Sequence, residues 1–306
     1  MTRVIIGIHG LANKPPRQEH RDGWIAAIQE GLKHLNLTPV FDPKTQFVDV
    51  YWADLMYKYP LHHDTNFSFD DLYDDEPYLP AQAGDLKEYI DGLSDILREK
   101  NDEMFDNISG LGQQSPLDKA INYLVAKKLQ DLAFYYDPKQ KICDRAGNLD
   151  TAQRVLKQEL QQILLNHQQD DVLLLAHSMG SIIAYDVLRD LGKSHPDFKI
   201  RHFVTLGSPL GLPYVQQRIN TERKGEIRTP TAVSHQWTNI ADSRDKVALD
   251  GHLKDDFGPN AGKVQVVDDL VYNSYRNATK AAKENPHKIF GYLRAPEVSR
   301  LIDNFL

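Results

Sequence analysis

The stretch Val172-Leu173-Leu174-Leu175-Ala176-His177-Ser178-Met179-Gly180-Ser181-Ile182-Ile183 decides how this chain is read. An apolar run too short to span a membrane stops at small residues around a serine, and apolar residues then recur at helical spacing. That order of signals predicts strand, sharp turn, helix. A serine in such a turn takes a strained backbone conformation, which is tolerable only where the residues two before and two after carry almost no side chain. Here they are Ala176 and Gly180. The turn is expected to lift Ser178 Oγ above the end of a sheet and to aim the positive start of the following helix at it.

Working outward, residues 4–8 read as a first strand running into the turn-rich His9-Gly10-Leu11-Ala12-Asn13-Lys14-Pro15-Pro16. Trp24, Ile25, Ile28, Leu32 and Leu35 follow at helical spacing, and residues 47–52 form the next strand. A helix carrying Val155, Leu156, Leu160, Ile163 and Leu164 leads into the serine turn, and Ile182, Ile183, Tyr185, Val187 and Leu188 mark the helix after it. Further strands are expected at 202–206, 233–240 and 263–267, with a closing helix on Val298, Leu301, Ile302 and Phe305. Six strands alternating with helices predict one α/β domain over residues 1–306, built on a doubly wound, mostly parallel six-stranded sheet. Ligands bind such sheets beyond the carboxyl ends of the strands.

Between residues 53 and 150 the character changes. Tyrosines, prolines and carboxylates crowd the first part, and two amphipathic patterns follow, one on Leu86, Ile90, Leu93, Ile96 and Leu97, the other on Ile121, Leu124, Val125, Leu129, Leu132 and Phe134. Helices of this kind need an apolar partner. The segment is therefore expected to be a helical, lid-like insertion over the carboxyl end of the sheet. His62-His63-Asp64, with Asp70, Asp71, Asp74 and Asp75 nearby, matches no metal-ligand spacing and reads as a solvated acidic face.

Composition narrows the function classes. A net charge of -7 leaves no basic footprint for nucleic acid or anionic lipid. Cys143 is the only cysteine, so an intrachain disulfide and a cysteine-based metal cluster are both excluded. The first residues lack the apolar core and cleavage site of a secretory signal, and no stretch reaches the length of a spanning helix, so the cytoplasm is the expected location.

A serine hydroxyl attacks well near neutral pH only when a base takes its proton, and the base needs a partner to hold its tautomer. For the partner, 237–247 places two carboxylates past a strand. Asp245 is preferred, because the apolar Val247 after it can dock the loop on the sheet; Asp242 is the alternative. For the base, His287 follows the final strand, whereas His252 precedes it and fits the order less well. About twenty residues separate Val267 from His287, a long gap that requires an extended strand or an excursion. Negative charge developing on a substrate oxygen needs two backbone donors: Met179 N–H, next to the serine, and Leu11 N–H, presented by the tight turn at Gly10.

The chain order Ser178, Asp245, His287 resembles that of the α/β-hydrolase superfamily. Ala176-His177-Ser178-Met179-Gly180 is similar to the alanine-first turn of Bacillus-type lipases. The segments 177–181, 207–211 and 242–247 resemble a group of bacterial lipase-like serine hydrolases. The resemblance covers residues 1–52 and 171–306. It implies a core lacking the first two strands of the eight-stranded fold, and hydrolysis of a carboxylic ester through an acyl-enzyme, with no metal or organic cofactor. The same residues would serve a thioesterase, an amidase or an acyltransferase, and a hydrolase fold can also be a binding protein without turnover. The insertion, rich in tyrosine and leucine, suggests an apolar or lipid-like ester as partner, while the oligomeric state has no signal in the sequence.

Overall fold

In the computed structural model, the alternating apolar runs and helical patterns form layers. Residues 2–37, 41–61, 78–81, 130–223, 227–248, 251–276 and 284–306 are described. In chain order come β1 (Arg3–Ile8), α1 (Arg17–His34), α2 (Pro43–Gln46), β2 (Phe47–Val50) and α3 (Ala53–Met56). After them come α4 (Gln130–Tyr136), β3 (Lys141–Cys143), β4 (Leu149–Thr151), α5 (Ala152–Asn166), β5 (Asp171–His177) and α6 (Met179–Ser194). The carboxyl half holds β6 (Ile200–Leu206), α7 (Pro213–Arg223), β7 (Val233–Ala241), α8 (Leu253–Asp256), β8 (Val266–Leu270), α9 (Ile289–Arg294) and α10 (Pro296–Phe305). The main sheet has six strands in the order β2-β1-β5-β6-β7-β8, and every neighbouring pair is parallel. It is an α/β architecture consistent with an α/β-hydrolase core.

Both faces of the sheet are covered, which is why its central strands read as unbroken apolar runs instead of alternating ones. Val4, Ile6 and Ile8 of β1 and Val172, Leu174 and Ala176 of β5 pack into one core with α4, α5 and α6. Ile5, Leu173 and Leu175 point the other way, onto Trp24 and Ile28 of α1, Phe290 of α9 and Val298 and Ile302 of α10. Burying a side chain of this size contributes roughly 1.5–3 kcal/mol.

One expected strand is displaced. The final strand lies three residues later than 263–267, because Asn260 closes a turn there, accepting from Val264 N on its side-chain oxygen. Its aspartates obscured it in the sequence, yet Asp268 is occupied at this edge, accepting from Leu253 N, Lys254 N and Asn239 Nδ2. The antiparallel hairpin β3-β4 had no periodic signal. Of the expected insertion, 62–77 and 82–129 lie outside the described residues, including the acidic cluster and the helix on Leu86 to Leu97. Its last part is described. Leu132, Tyr135 and Tyr136 of α4 are buried against the elements carrying the serine turn. Among the described residues, no helix is long and apolar enough to cross a membrane.

Candidate active site

The turn between β5 and α6 holds Ser178 at φ 52°, ψ -128°, a region that residues with a side chain rarely occupy. Strain of this kind costs on the order of 1–3 kcal/mol and persists where surrounding bonds over-determine it. Ser178 N donates to Leu206 O at 3.0 Å, and its carbonyl accepts from Ser181 N at 2.9 Å and Ser181 Oγ at 2.6 Å. Ser181 Oγ in turn shares a hydrogen bond of 2.7 Å with Ser208 Oγ. Small residues allow the close approach. A Cβ on Gly180 would stand 2.5 Å from His9 O, and one on Gly10 would stand 2.5 Å from Ser178 Cβ.

The loop after β1 is thus pressed directly against the serine, and it is tied from several sides. His9 Nε2 accepts from Trp52 N at 3.1 Å, which leaves Nδ1 as the protonated nitrogen, donating to Gly10 O at 2.9 Å. Lys14 Nζ donates to Leu11 O at 2.5 Å, and Ala12 N donates to Asp131 Oδ2 of α4 at 2.8 Å. Leu11 is buried, and Met179 N–H opens α6, where the first amides of a helix have no partner within it.

Ser178, Asp245 and His287, three side chains distant in the chain, converge. His287 Nε2 lies 3.1 Å from Ser178 Oγ, and His287 Nδ1 lies 2.9 Å and 2.8 Å from the two oxygens of Asp245. Asp245 Oδ1 also accepts from the N–H of Val247, itself buried. Burial alone pushes the Asp245 carboxyl up. The charge and hydrogen bond of His287, with those of Val247 N–H and Tyr292, outweigh it and hold the group below the usual carboxylate value. It is therefore ionised at neutral pH and fixes a proton on His287 Nδ1, which leaves Nε2 to accept from the serine.

The two alternatives occupy other positions. Asp242 is fully buried and engaged by Arg244, which reaches it with Nε, Nη2 and its backbone N–H, and by Asn273 N at 2.6 Å. His252 stands exposed before α8, and the ring that meets Ser178 Oγ is that of His287.

Contacts not legible in the sequence complete the site. Tyr292 Oη donates to Asp245 Oδ2 at 2.8 Å and accepts from Asp242 N at 3.1 Å. Burial, joined by the charges of Asp245 and Asp242, pushes this phenol up, so it remains a donor. His177 Nε2 donates to His287 O at 2.9 Å, its ring 4.7 Å from that of His287. Groups of three or more metal-binding side chains are absent among the described residues.

A family model described as lecithin:cholesterol acyltransferase matches residues 133–217. That stretch runs from α4 through the serine turn into α7 and stops short of Asp245 and His287. No curated protein and no solved structure matches the chain.

Proposed function

We propose that this chain is a serine hydrolase acting on carboxylic esters of lipid-like character through an acyl-enzyme. The observation that carries the reading is the Ser178–His287–Asp245 relay, with its 3.1 Å contact at the nucleophile and an acid facing the far side of the ring. Ser178 Oγ attacks the ester carbonyl as His287 Nε2 takes its proton. The oxygen that becomes negative is stabilised by Met179 N–H and Leu11 N–H. His287 then protonates the departing alkoxide, and the acyl group remains on Ser178. Water attacks the acyl-enzyme in turn, giving its proton to His287, and the carboxylic acid leaves with the serine restored. Asp245 stays ionised throughout and stabilises the imidazolium.

The family match favours a second reading in which an alcohol takes the place of water and receives the acyl group. Both readings share the acyl-enzyme. The test is incubation with a fluorophosphonate probe and with p-nitrophenyl esters of increasing chain length. The expected result is one adduct on Ser178, turnover that rises with acyl length, and loss of both in Ser178→Ala. Turnover near wild type in Ser178→Ala, or absence of an adduct in folded protein, would reject the assignment and favour a binding protein. Adding a long-chain alcohol separates the two readings, since transfer yields a new ester where hydrolysis yields free acid.

A further inference from the structure

The histidine of the relay sits at the end of a long excursion from the sheet. β8 ends at Leu270 and α9 begins at Ile289, and between them Arg276 bridges to Glu284 and Asn285 N donates to Tyr275 O. His287 itself lies outside the sheet and before α9, yet it meets its neighbours at hydrogen-bond distances on both ring nitrogens. Something must fix it.

We propose that Asn273 is the positioning residue of His287: its side chain holds the backbone on both sides of the histidine and locks it to the loop that carries Asp245. Asn273 Nδ2 donates to Pro286 O and to Lys288 O, each at 2.8 Å, so one amide group spans the residues either side of the base. His287 O, between them, is held by His177 Nε2, so three consecutive carbonyls accept from side chains. The other end of Asn273 is equally engaged. Its Oδ1 accepts from Tyr275 N at 3.1 Å, its N–H donates to Asp242 Oδ2 at 2.6 Å, and its carbonyl accepts from Arg244 Nη2. The amide orientation follows from chemistry, since two carbonyls require the NH₂ and a backbone N–H requires the oxygen.

Asn273 is fully buried, and Gly291 of α9 leaves the room for it, because a Cβ there would overlap Asn273 Oδ1. The connection gives Asp242 a use. Through Asn273 N on one side and Tyr292 Oη on its own backbone N–H, Asp242 joins the acid's loop to the histidine's loop without touching the ring. Aspartate at 273 would keep the shape but turn two donors into an oxygen facing two carbonyls, and an unmade bond of this kind at a buried group is strongly unfavourable.

This inference rests on the proposed esterase reading for its kinetic arm and is independent of it for its spectroscopic arm. Asn273→Asp and Asn273→Ser are compared with wild type, each with and without His287→Ala, by turnover of p-nitrophenyl butyrate, by circular dichroism, and by NMR of ¹⁵N-histidine-labelled protein. Both variants are expected to keep KM and to lose kcat by about a hundredfold, the scale of a misplacement near 1 Å. In the His287→Ala background the same changes should cost less than about twofold, because a residue acting only through the base has nothing left to position. The deshielded His287 Nδ1–H resonance should broaden or vanish in the variants and persist in Ser178→Ala. Equal losses in both backgrounds, or a folded variant with an unaltered Nδ1–H signal, would overturn the proposal. If wild type proves inactive on esters, the resonance alone decides, so failure of the function and failure of the positioning role are told apart. Should Asn273→Asp not fold, Asn273→Ser, which retains the N–H bond to Asp242, carries the same outcomes.

Discussion

Replacing Gly10 by alanine tests the claim that the loop after β1 serves the oxyanion. An ideal Cβ at this position stands 2.5 Å from Ser178 Cβ and 3.1 Å from both Ser178 Oγ and His177 Nδ1. Carbon atoms in comfortable contact lie about 3.5–4.0 Å apart, so roughly 1 Å or more of separation has to be made up. Ser178 cannot yield it, being pinned through its N–H to Leu206 O and through its carbonyl to Ser181. The loop, although tied by Lys14 and Asp131, is the part left to recede, which would carry Leu11 N–H away from the oxyanion proposed there. Donors act there only within about 2.7–3.1 Å, and losing one costs roughly 10²–10³ in kcat, so a loss near a hundredfold is expected with KM little changed. Overpacking should also cost about 1–3 kcal/mol of stability, part of it offset by roughly 0.4–1 kcal/mol from the stiffer unfolded chain. The assay is steady-state hydrolysis of p-nitrophenyl butyrate beside a thermal melt. Folded Gly10→Ala protein with kcat within about threefold of wild type would refute the reasoning, for the loop would then supply no transition-state donor.

Other outcomes separate roles that lie close in the fold. Asp245→Asn is expected to lower kcat by about 10⁴, because the amide favours the wrong histidine tautomer. Asp242→Asn reaches His287 only through Asn273 and should cost no more than the Asn273 variants, about a hundredfold, and equal losses from Asp242→Asn and Asp245→Asn would count against Asp245 as the orienting acid. Tyr292→Phe removes a donor from a carboxylate whose folded value is depressed. Such a group contributes stability above its unfolded value near pH 3.9, stability that is lost as the pH falls through the folded value, so the difference in melting temperature from wild type should be present at pH 7 and narrow below about pH 4. His202 is pushed down to about 4, first by burial and then by the positive charges of His235 and Arg201. Below about pH 6.5 the unfolded chain takes up a proton that the folded chain refuses, so stability should fall between pH 6.5 and 4. His202→Phe should flatten that decline in a thermal-melt series, and an unchanged slope would remove His202 from its cause.

The sheet was legible because burial on both faces leaves a signature in the chain: Val172 to Ala176 is apolar without interruption, and Ala176 and Gly180 flank the serine for a steric reason that composition displays. β8 was harder. An edge strand alternates, and Asp268 breaks its apolar pattern because it caps Leu253 and Lys254 instead of facing solvent. Asp242 and Asp245 could be separated only through Val247. An apolar residue after the carboxylate predicts docking, and Val247 is buried with its N–H on Asp245 Oδ1.

What the sequence concealed shares one physical character. Asn273, Tyr292, His177, Lys14 and Asp131 act through bonds from side chains to backbone atoms or to other side chains, two of them between residues more than a hundred positions apart, and such bonds impose no periodicity. Their arrangement has a chemical logic. A neutral hydroxyl becomes a nucleophile only if a proton's path to a base is short and fixed, and His287, the base proposed here, stands between the end of β8 and the start of α9. Rigidity must then come from hydrogen bonds made to the loop's own carbonyls, and those at 286, 287 and 288 are all taken. The loop after β1 repeats the device, with Lys14 on Leu11 O and Asp131 on Ala12 N. Asp131 belongs to α4, in the last part of the segment read as an insertion, so that segment reaches the loop beside Ser178 through a carboxyl group whose removal should disturb Leu11 before it disturbs the sheet.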